Sequence, residues 1–217
     1  MILEVIIIKA FLFDLDGTIW DSENVIIDTL CSTILGERGE NISKKILLKE
    51  LRTNHSPLKV LRLHGINAYN SYWKKYRYNS ENIALFYDNT HEIFDHLLKQ
   101  KKLIGYITSL KKEFTIRLLK KFGLYRFPHV VITPSECRTP KPSPKPIIMA
   151  LEKLTIRNSE TIYIGDQDID IVAAKRAACK SGLASWGAHD KIREKPDHVF
   201  KTLEDILFIV KNKEGIK

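Results

Sequence analysis

The segment KAFLFDLDGT, Lys9 to Thr18, decides how the rest of the chain is read. Residues 9–14 are a short apolar run closed by a carboxylate, the pattern of a strand buried within a sheet. Asp14, Asp16 and Gly17 follow at its end, where a glycine permits a tight turn. In open parallel sheets ligands bind at the carboxyl ends of the strands, so two acids stand where chemistry is done. Asp-x-Asp-Gly also opens calcium loops. Those loops need a third oxygen ligand before the glycine and a glutamate beyond it, and this segment has neither.

Working outward, residues 86–217 alternate between two periods. Helical spacing is read over 91–102, 111–123, 144–154, 170–182 and 202–211. Apolar strand runs lie between them at 103–108, 129–133, 161–165, 182–187 and 198–200. That alternation predicts βαβ units and a parallel sheet covered by helices on both faces, an α/β fold with a Rossmann-like, doubly wound core. Residues 20–85 break the alternation, with helical patterns at 22–35, 42–53, 57–65 and 68–85 and no strand. The expected organisation is a core of residues 1–19 plus 86–217, interrupted by a helical insertion over 20–85.

Three more chemical signals sit at strand ends. IGDQDID, Ile164 to Asp170, crowds Asp166, Asp168 and Asp170 into five residues. Like-charge repulsion makes such crowding costly unless a cation neutralises it. Hard oxygen ligands suit Mg²⁺, which takes one or two carboxylates together with substrate phosphate. Helix capping is the plainer role for these acids, and Asp168 fits it best. Thr108 and Ser109 follow the strand LIGYI, where a hydroxyl and free backbone N–H groups can hold a phosphate. Lys141 lies in TPKPSPKP, 139–146, a lone cation stiffened by prolines and followed by a helix start.

These four motifs, in this order, resemble the haloacid dehalogenase superfamily of phosphotransferases. The likeness runs from Lys9 to about Leu207 and rests on DLDGT at 14–18, Thr108, Lys141 and GD-x-x-x-D at 165–170. FDLDGTIWDSE, SWG at 185–187 and PDHVFKTLEDIL at 196–207 are similar to its phosphoglycolate phosphatase-like branch. The resemblance implies that the insertion is a helical cap on a catalytic core. It implies Asp14 as nucleophile, forming an aspartyl-phosphate, and Asp16 as acid and then base. Thr18, Thr108, Ser109 and Lys141 would hold the phosphoryl group. Asp14, the backbone carbonyl of Asp16, Asp166 and Asp170 would serve Mg²⁺. In the cap, Arg52 and His55 are the candidates for reading the substrate's organic half. Asp16 favours phosphate esters, since members that cleave carbon–halogen bonds generally lack it. Two departures stand out: Thr108 is followed by Ser109 where the branch usually has asparagine, and His55 stands before Ser56-Pro57 where a glycine is expected.

Composition narrows the partners. The chain has 217 residues and formal net charge +9, unevenly spread. Residues 44–77 and 99–126 are strongly basic, while residues 1–43 are acidic. No run of five or six like charges occurs, so a nucleic-acid-coating tail is not expected. The aromatic series Tyr69, Tyr72, Trp73, Tyr76 has helical spacing and is read as packing rather than as a base-stacking platform. No apolar run approaches the roughly 20 residues that span a bilayer. The N-terminal stretch, interrupted by Glu4 and Lys9, is read as strand rather than signal peptide. Three widely spaced cysteines without CxxC predict neither a disulfide framework nor a zinc site, and a cytoplasmic protein. The expected activity is a Mg²⁺-dependent phosphatase of small phosphorylated metabolites, phosphoglycolate-like or sugar phosphates. The alternatives are an intramolecular phosphomutase of the β-phosphoglucomutase type and a non-catalytic phosphate- or nucleic-acid-binding protein. Monomer and homodimer are both open.

Overall fold

A computed structural model describes residues 7–54, 56–188 and 192–211. The chain forms two compact units, Met1–Ile19 with Leu85–Lys217, and Trp20–Ala84. In the first, β1 (Ala10–Phe13) is followed, after the inserted unit, by α5 (Thr90–Lys99), β4 (Leu103–Ile107), α6 (Lys112–Lys121), β5 (Val130–Ile132) and α7 (Lys145–Leu154). Then come β6 (Thr161–Gly165), α8 (Asp168–Arg176), β7 (Lys180–Ala184), β8 (His198–Phe200) and α9 (Ile206–Lys211). The strands make one six-stranded sheet in the order β5-β4-β1-β6-β7-β8, all pairs parallel. Counted within this sheet, that is the 3-2-1-4-5-6 order of a Rossmann-like doubly wound fold. The α/β architecture expected from the alternation is the one observed.

β1 sits at the centre because all four of its residues are buried and both edges pair, Leu12 opposite Gly105 on one side and Tyr163 on the other. Its alternate residues feed the two faces. Leu12, Ile107, Ile132 and Tyr163 form one apolar cluster with Ile147 and Leu151 of α7 and with Ala173 and Ala174 of α8. On the other face Phe13 and Tyr106 meet Phe94 of α5, and Phe94 also packs on Phe127. Each fully buried Leu, Ile or Phe contributes about 1.5–3 kcal/mol against the entropy of ordering the chain. The strand order reverses between β1 and β6, so the crevice outside their carboxyl ends is where such a sheet binds ligands.

The second unit holds β2 (Trp20–Asp21), α1 (Glu23–Arg38), α2 (Lys44–Asn54), α3 (Pro57–Leu63), α4 (Tyr69–Asn79) and the start of β3 (Ala84–Leu85). Ser56 caps α3, its hydroxyl accepting from Lys59 N, and Pro57 opens the helix. Leu30, Ile34, Leu47, Val60, Leu61, Tyr72 and Tyr76 are buried. Tyr72 and Tyr76 stack at 6.1 Å with Trp73 edge-on to both, so these three pack within this unit, while Tyr69 at the start of the series is exposed.

Four sequence expectations are corrected. Residues 20–85 do contain strand, because β2 and β3 pair as a two-stranded ribbon too short to leave a period-2 signature. The last helix of that segment ends at Asn79, and a 3-10 turn over Ser80–Asn82 leads into β3. The helix expected over 170–182 stops at Arg176, since Ala178 takes a positive φ of 55° that no α-helix continues through. The strand after it is therefore Lys180–Ala184, two residues ahead of the 182–187 expected.

Candidate active site

Four strands deliver the site. The ladder carries Asp14 just beyond β1, where its N–H still donates to Ile164 O at 2.8 Å. By the strand register Asp166 stands one residue further along beyond β6, and so does Thr108 beyond β4, its N–H on Ile132 O at 3.0 Å. Gly17 (φ +79°) turns the chain so tightly that a β-carbon there would lie 2.4 Å from Asp166 Oδ2. Asp170, on the first turn of α8, closes a capping box by accepting from Gln167 N at 3.1 Å.

Asp14, Asp166 and Asp170 thereby converge, all three buried, with one carboxylate oxygen of each within 4.8 Å of the others. Lys141 reaches into the group from the β5–α7 loop, Nζ lying 2.9 Å from Asp14 Oδ2 and 2.6 Å from Asp170 Oδ1. A third acceptor, the Tyr163 hydroxyl, lies 3.1 Å from the same ammonium. Burial, with the neighbouring charges of Asp170 and Asp16 adding to it against Lys141, raises the Asp14 carboxyl to about 7. Burial and the same crowding push Asp166 well above the usual carboxylate range. For Lys141, burial disfavours the charge, but Asp14 and Asp170 outweigh it and hold the ammonium well above its ordinary value.

The remaining sequence candidates divide. Thr18 is buried and its hydroxyl donates to Asp166 Oδ1 at 3.2 Å. Thr108, Ser109 and Lys141 share the wall of a cleft of about 130 Å³ with Thr133, Cys137 and Arg138. The Thr108 hydroxyl accepts from Leu110 N at 3.0 Å, which shapes the turn after β4. Asp16 is half-exposed, close enough for its charge to act on Asp14, and its carboxylate is outside the three-acid group. Asp168 is a loop anchor, accepting from the backbone N–H groups of Arg193 and Glu194. Arg52, in the Trp20–Ala84 unit, makes a two-point ion pair with Glu23 at 2.9 and 3.1 Å. His55 lies outside the described residues.

Sequence reasoning missed Tyr163, and it quoted Gly187 within SWG without giving it a role. The signal for Tyr163 was a polar-tipped aromatic in an otherwise aliphatic strand, two residues before Gly165 and so on the same side of the pleat. Gly187 packs against motif-carrying backbone: a β-carbon there would fall 1.6 Å from Gly17 O. Beside it, Trp186 Nε1 donates to Thr18 O at 2.9 Å.

The model of the haloacid dehalogenase-like hydrolases matches residues 11–184, which takes in every one of these positions up to β7. The chain belongs to the haloacid dehalogenase-like hydrolase family. It is 28% identical over 211 residues to pyrophosphatase PpaX of Bacillus velezensis, covering 93% of this chain and 96% of that protein. Pyrophosphatase PpaX of Halalkalibacterium halodurans is 27% identical over 210 residues, with 94% and 97% covered. Among solved structures, a provisionally assigned phosphoglycolate phosphatase from Lactobacillus plantarum superposes with a TM-score of 0.81. It is 23% identical, with 94% of this chain and 99% of that one covered. As a haloacid dehalogenase-like hydrolase the protein is an enzyme, and the buried acid triad is a group that could hold a metal. Among the described residues no helix is long and apolar enough to cross a membrane.

Proposed function

We propose that the protein is a Mg²⁺-dependent phosphatase of small phosphorylated metabolites, working through an aspartyl-phosphate on Asp14. The observation that carries this reading is the buried meeting of Asp14, Asp166 and Asp170 with Lys141 at the strand-order reversal. Three carboxylates held together out of water, with a lysine in contact with two of them, make a donor set short of positive charge. All the donors are hard oxygens, which fits Mg²⁺. Asp14, the Asp16 backbone carbonyl and Asp166 would hold the ion, with Asp170 as a further support. When bound, Mg²⁺ supplies charge neutralisation for the phosphoryl group.

The chain's own residues divide the rest of the work. An Asp14 carboxylate oxygen attacks phosphorus, the ester P–O bond breaks, and the Asp16 carboxyl gives its proton to the leaving oxygen. Asp16, now a carboxylate, takes a proton from water as that water attacks the aspartyl-phosphate. Inorganic phosphate leaves and Asp14 is restored. Thr108, Ser109 and Lys141 hold the phosphoryl oxygens, and Thr18 orients Asp166. Residues 1–19 plus 86–217 act as the catalytic core and 20–85 as a cap, with Arg52 and His55 as candidates for reading the organic half. The names of the relatives add inorganic pyrophosphate to the substrates to be tried, beside phosphoglycolate and hexose phosphates. The cytoplasm is the location this reading proposes, on the three widely spaced cysteines with no CxxC pair.

The test is hydrolysis of p-nitrophenyl phosphate with and without Mg²⁺ by the wild type and by Asp14→Asn. Phosphate release that needs Mg²⁺ and falls at least about 10³-fold in the variant is expected. Undiminished release by Asp14→Asn would overturn the reading. Isomer formation without phosphate release from a hexose monophosphate would replace it with a mutase.

A further inference from the structure

Lys141 has three N–H protons, and each has an acceptor: Asp14 at 2.9 Å, Asp170 at 2.6 Å and the Tyr163 hydroxyl at 3.1 Å. Two of these acceptors are carboxylates, which form charge-assisted bonds roughly twice as strong as neutral ones. The third is a neutral phenol. With the carboxylates alone the nitrogen could shift toward one or the other by turning about the carbon–carbon bonds of its stem. A third fixed point removes that freedom.

Tyr163 is itself immobile. It is fully buried on β6, a strand paired on both sides, in register with Leu12 of β1 and Ser181 of β7. Its ring lies in the apolar cluster with Ile107 and Ile147. Its own hydroxyl proton has two acceptors, Asp170 Oδ1 at 3.2 Å and Ile107 O at 3.4 Å. The phenol oxygen therefore keeps a lone pair directed at Lys141 while its proton is committed elsewhere. Lys141, by contrast, comes from the loop between β5 and α7 at the end of a flexible stem, and needs to be told where to stop.

We propose that Tyr163 is a positioning residue for Lys141, its phenol oxygen fixing the ammonium at the point from which it meets a phosphoryl oxygen. This inference rests on the phosphatase reading above. A phosphoryl oxygen arriving beside Asp14 accepts the hydrogen bond that the ammonium had given to Asp14, and Lys141 stays protonated. The protons left on Asp170 and Tyr163 then hold the nitrogen in place, so that it is aligned as charge builds on the phosphoryl oxygens. Without the phenol, the incoming anion competes with both carboxylates for a mobile cation. The loss appears in the transition state more than in the ground state, because alignment matters most where charge has spread.

The test is a double-mutant cycle on p-nitrophenyl phosphate hydrolysis with saturating Mg²⁺, using wild type, Tyr163→Phe, Lys141→Ala and the double variant. Tyr163→Phe is expected to lower kcat about tenfold with KM within about twofold, and to have less than about a twofold effect once Lys141 is alanine. The same loss in both backgrounds would show that Tyr163 acts as structure, not through Lys141, and would overturn the inference. So would an unchanged kcat in Tyr163→Phe. Circular dichroism melts accompany each variant, and Tyr163→Met repeats the cycle should the phenylalanine variant melt below the assay temperature. An inactive wild type would overturn the phosphatase reading and this inference with it, whereas an active wild type with equal losses overturns the inference alone.

Discussion

At the scale of single residues, the glycines say how tightly the acid site is built. A β-carbon on Gly187 would sit 1.6 Å from the carbonyl oxygen of Gly17, and Gly17 itself lies against Asp166. Backbone, not a movable side-chain tip, blocks the space, so relief requires shifting the turn that carries Asp14 and Asp16. Gly39 offers the contrast: its φ is +68° but nothing lies within 4 Å of its β-carbon position. Gly39→Ala should cost about 1 kcal/mol of backbone strain and leave activity intact. Gly187→Ala should cost about 2–3 kcal/mol and lower phosphatase activity sharply, as urea midpoints and initial rates would show. Equal stability losses in the two would mean that the contact at Gly187 relaxes freely. The acids permit a second check. A cation bound by Asp14 and Asp166 only in the folded state raises the melting temperature, by about 3–6 °C at ten times Kd. Asp166→Asn should melt at the same temperature with or without Mg²⁺. A wild-type melting point indifferent to Mg²⁺ would count against the metal assignment.

At the scale of elements, the loop between β5 and α7, which carries Lys141, is tied down at its start. Glu136 accepts from Thr133 N at 3.0 Å and Thr133 Oγ1 at 2.6 Å, and Lys112 Nζ of α6 reaches its other oxygen at 2.7 Å. Burial pushes this carboxyl up, but the bonds from Lys112 and Thr133 outweigh it and hold it down at about 2. A carboxylate held below its unfolded value stabilises the fold above pH 4.5, and the contribution fades as pH falls toward 2. Glu136→Gln should therefore be less stable than wild type by about 1–2 kcal/mol at pH 7, a figure reduced for the exposed Lys112 partner. By pH 3 that gap should shrink by more than half. A gap that stays constant from pH 7 to pH 3 would sink the assignment to this ion pair. None of this could be read from the sequence, where Glu136 is one acid in a loop with no periodicity. The helices and central strands were legible because their apolar spacing is local. What escaped was the two-residue ribbon of β2 and β3, paired across the whole inserted segment, and the early end of α8, where Ala178 takes a positive φ and Cys179 N closes on Ala174 O without any change in the apolar spacing. The site shows the same division. Asp14, Asp166 and Lys141 announce themselves by motif, while Tyr163 becomes meaningful only when a lysine 22 residues away lands on its hydroxyl.

At the scale of the whole molecule, every strand of the six-stranded sheet lies in the unit made by Met1–Ile19 and Leu85–Lys217. So do Asp14, Thr108, Lys141, Asp166 and Asp170. That unit is interrupted in sequence by 65 residues, Trp20–Ala84, yet the two cut ends meet: Phe86 N donates to Ile19 O at 3.2 Å. Both ends are anchored from within the same unit. Trp186 holds Thr18 O by its indole N–H and packs edge-on against Tyr87 at 5.4 Å, while the Tyr87 hydroxyl donates to Lys201 O at 3.4 Å. Ends already adjacent can be joined by a short turn without strain, and loop-closure entropy changes only slowly with the length removed. Replacing Trp20–Ala84 by a Gly-Ser turn should therefore leave a chain with native-like far-UV circular dichroism and a single cooperative melt. Because the acid triad stays whole, Mg²⁺ should still raise its melting temperature, and Asp166→Asn should still abolish that rise. Trp186→Phe in this shortened chain removes the indole N–H that bonds the outgoing end and should lower its stability by about 1 kcal/mol, read from urea midpoints. A shortened chain that aggregates or melts without cooperativity would show that the sheet depends on the inserted residues for its stability. A folded chain with no Mg²⁺ response would instead place part of the metal's ligand set outside the residues named here.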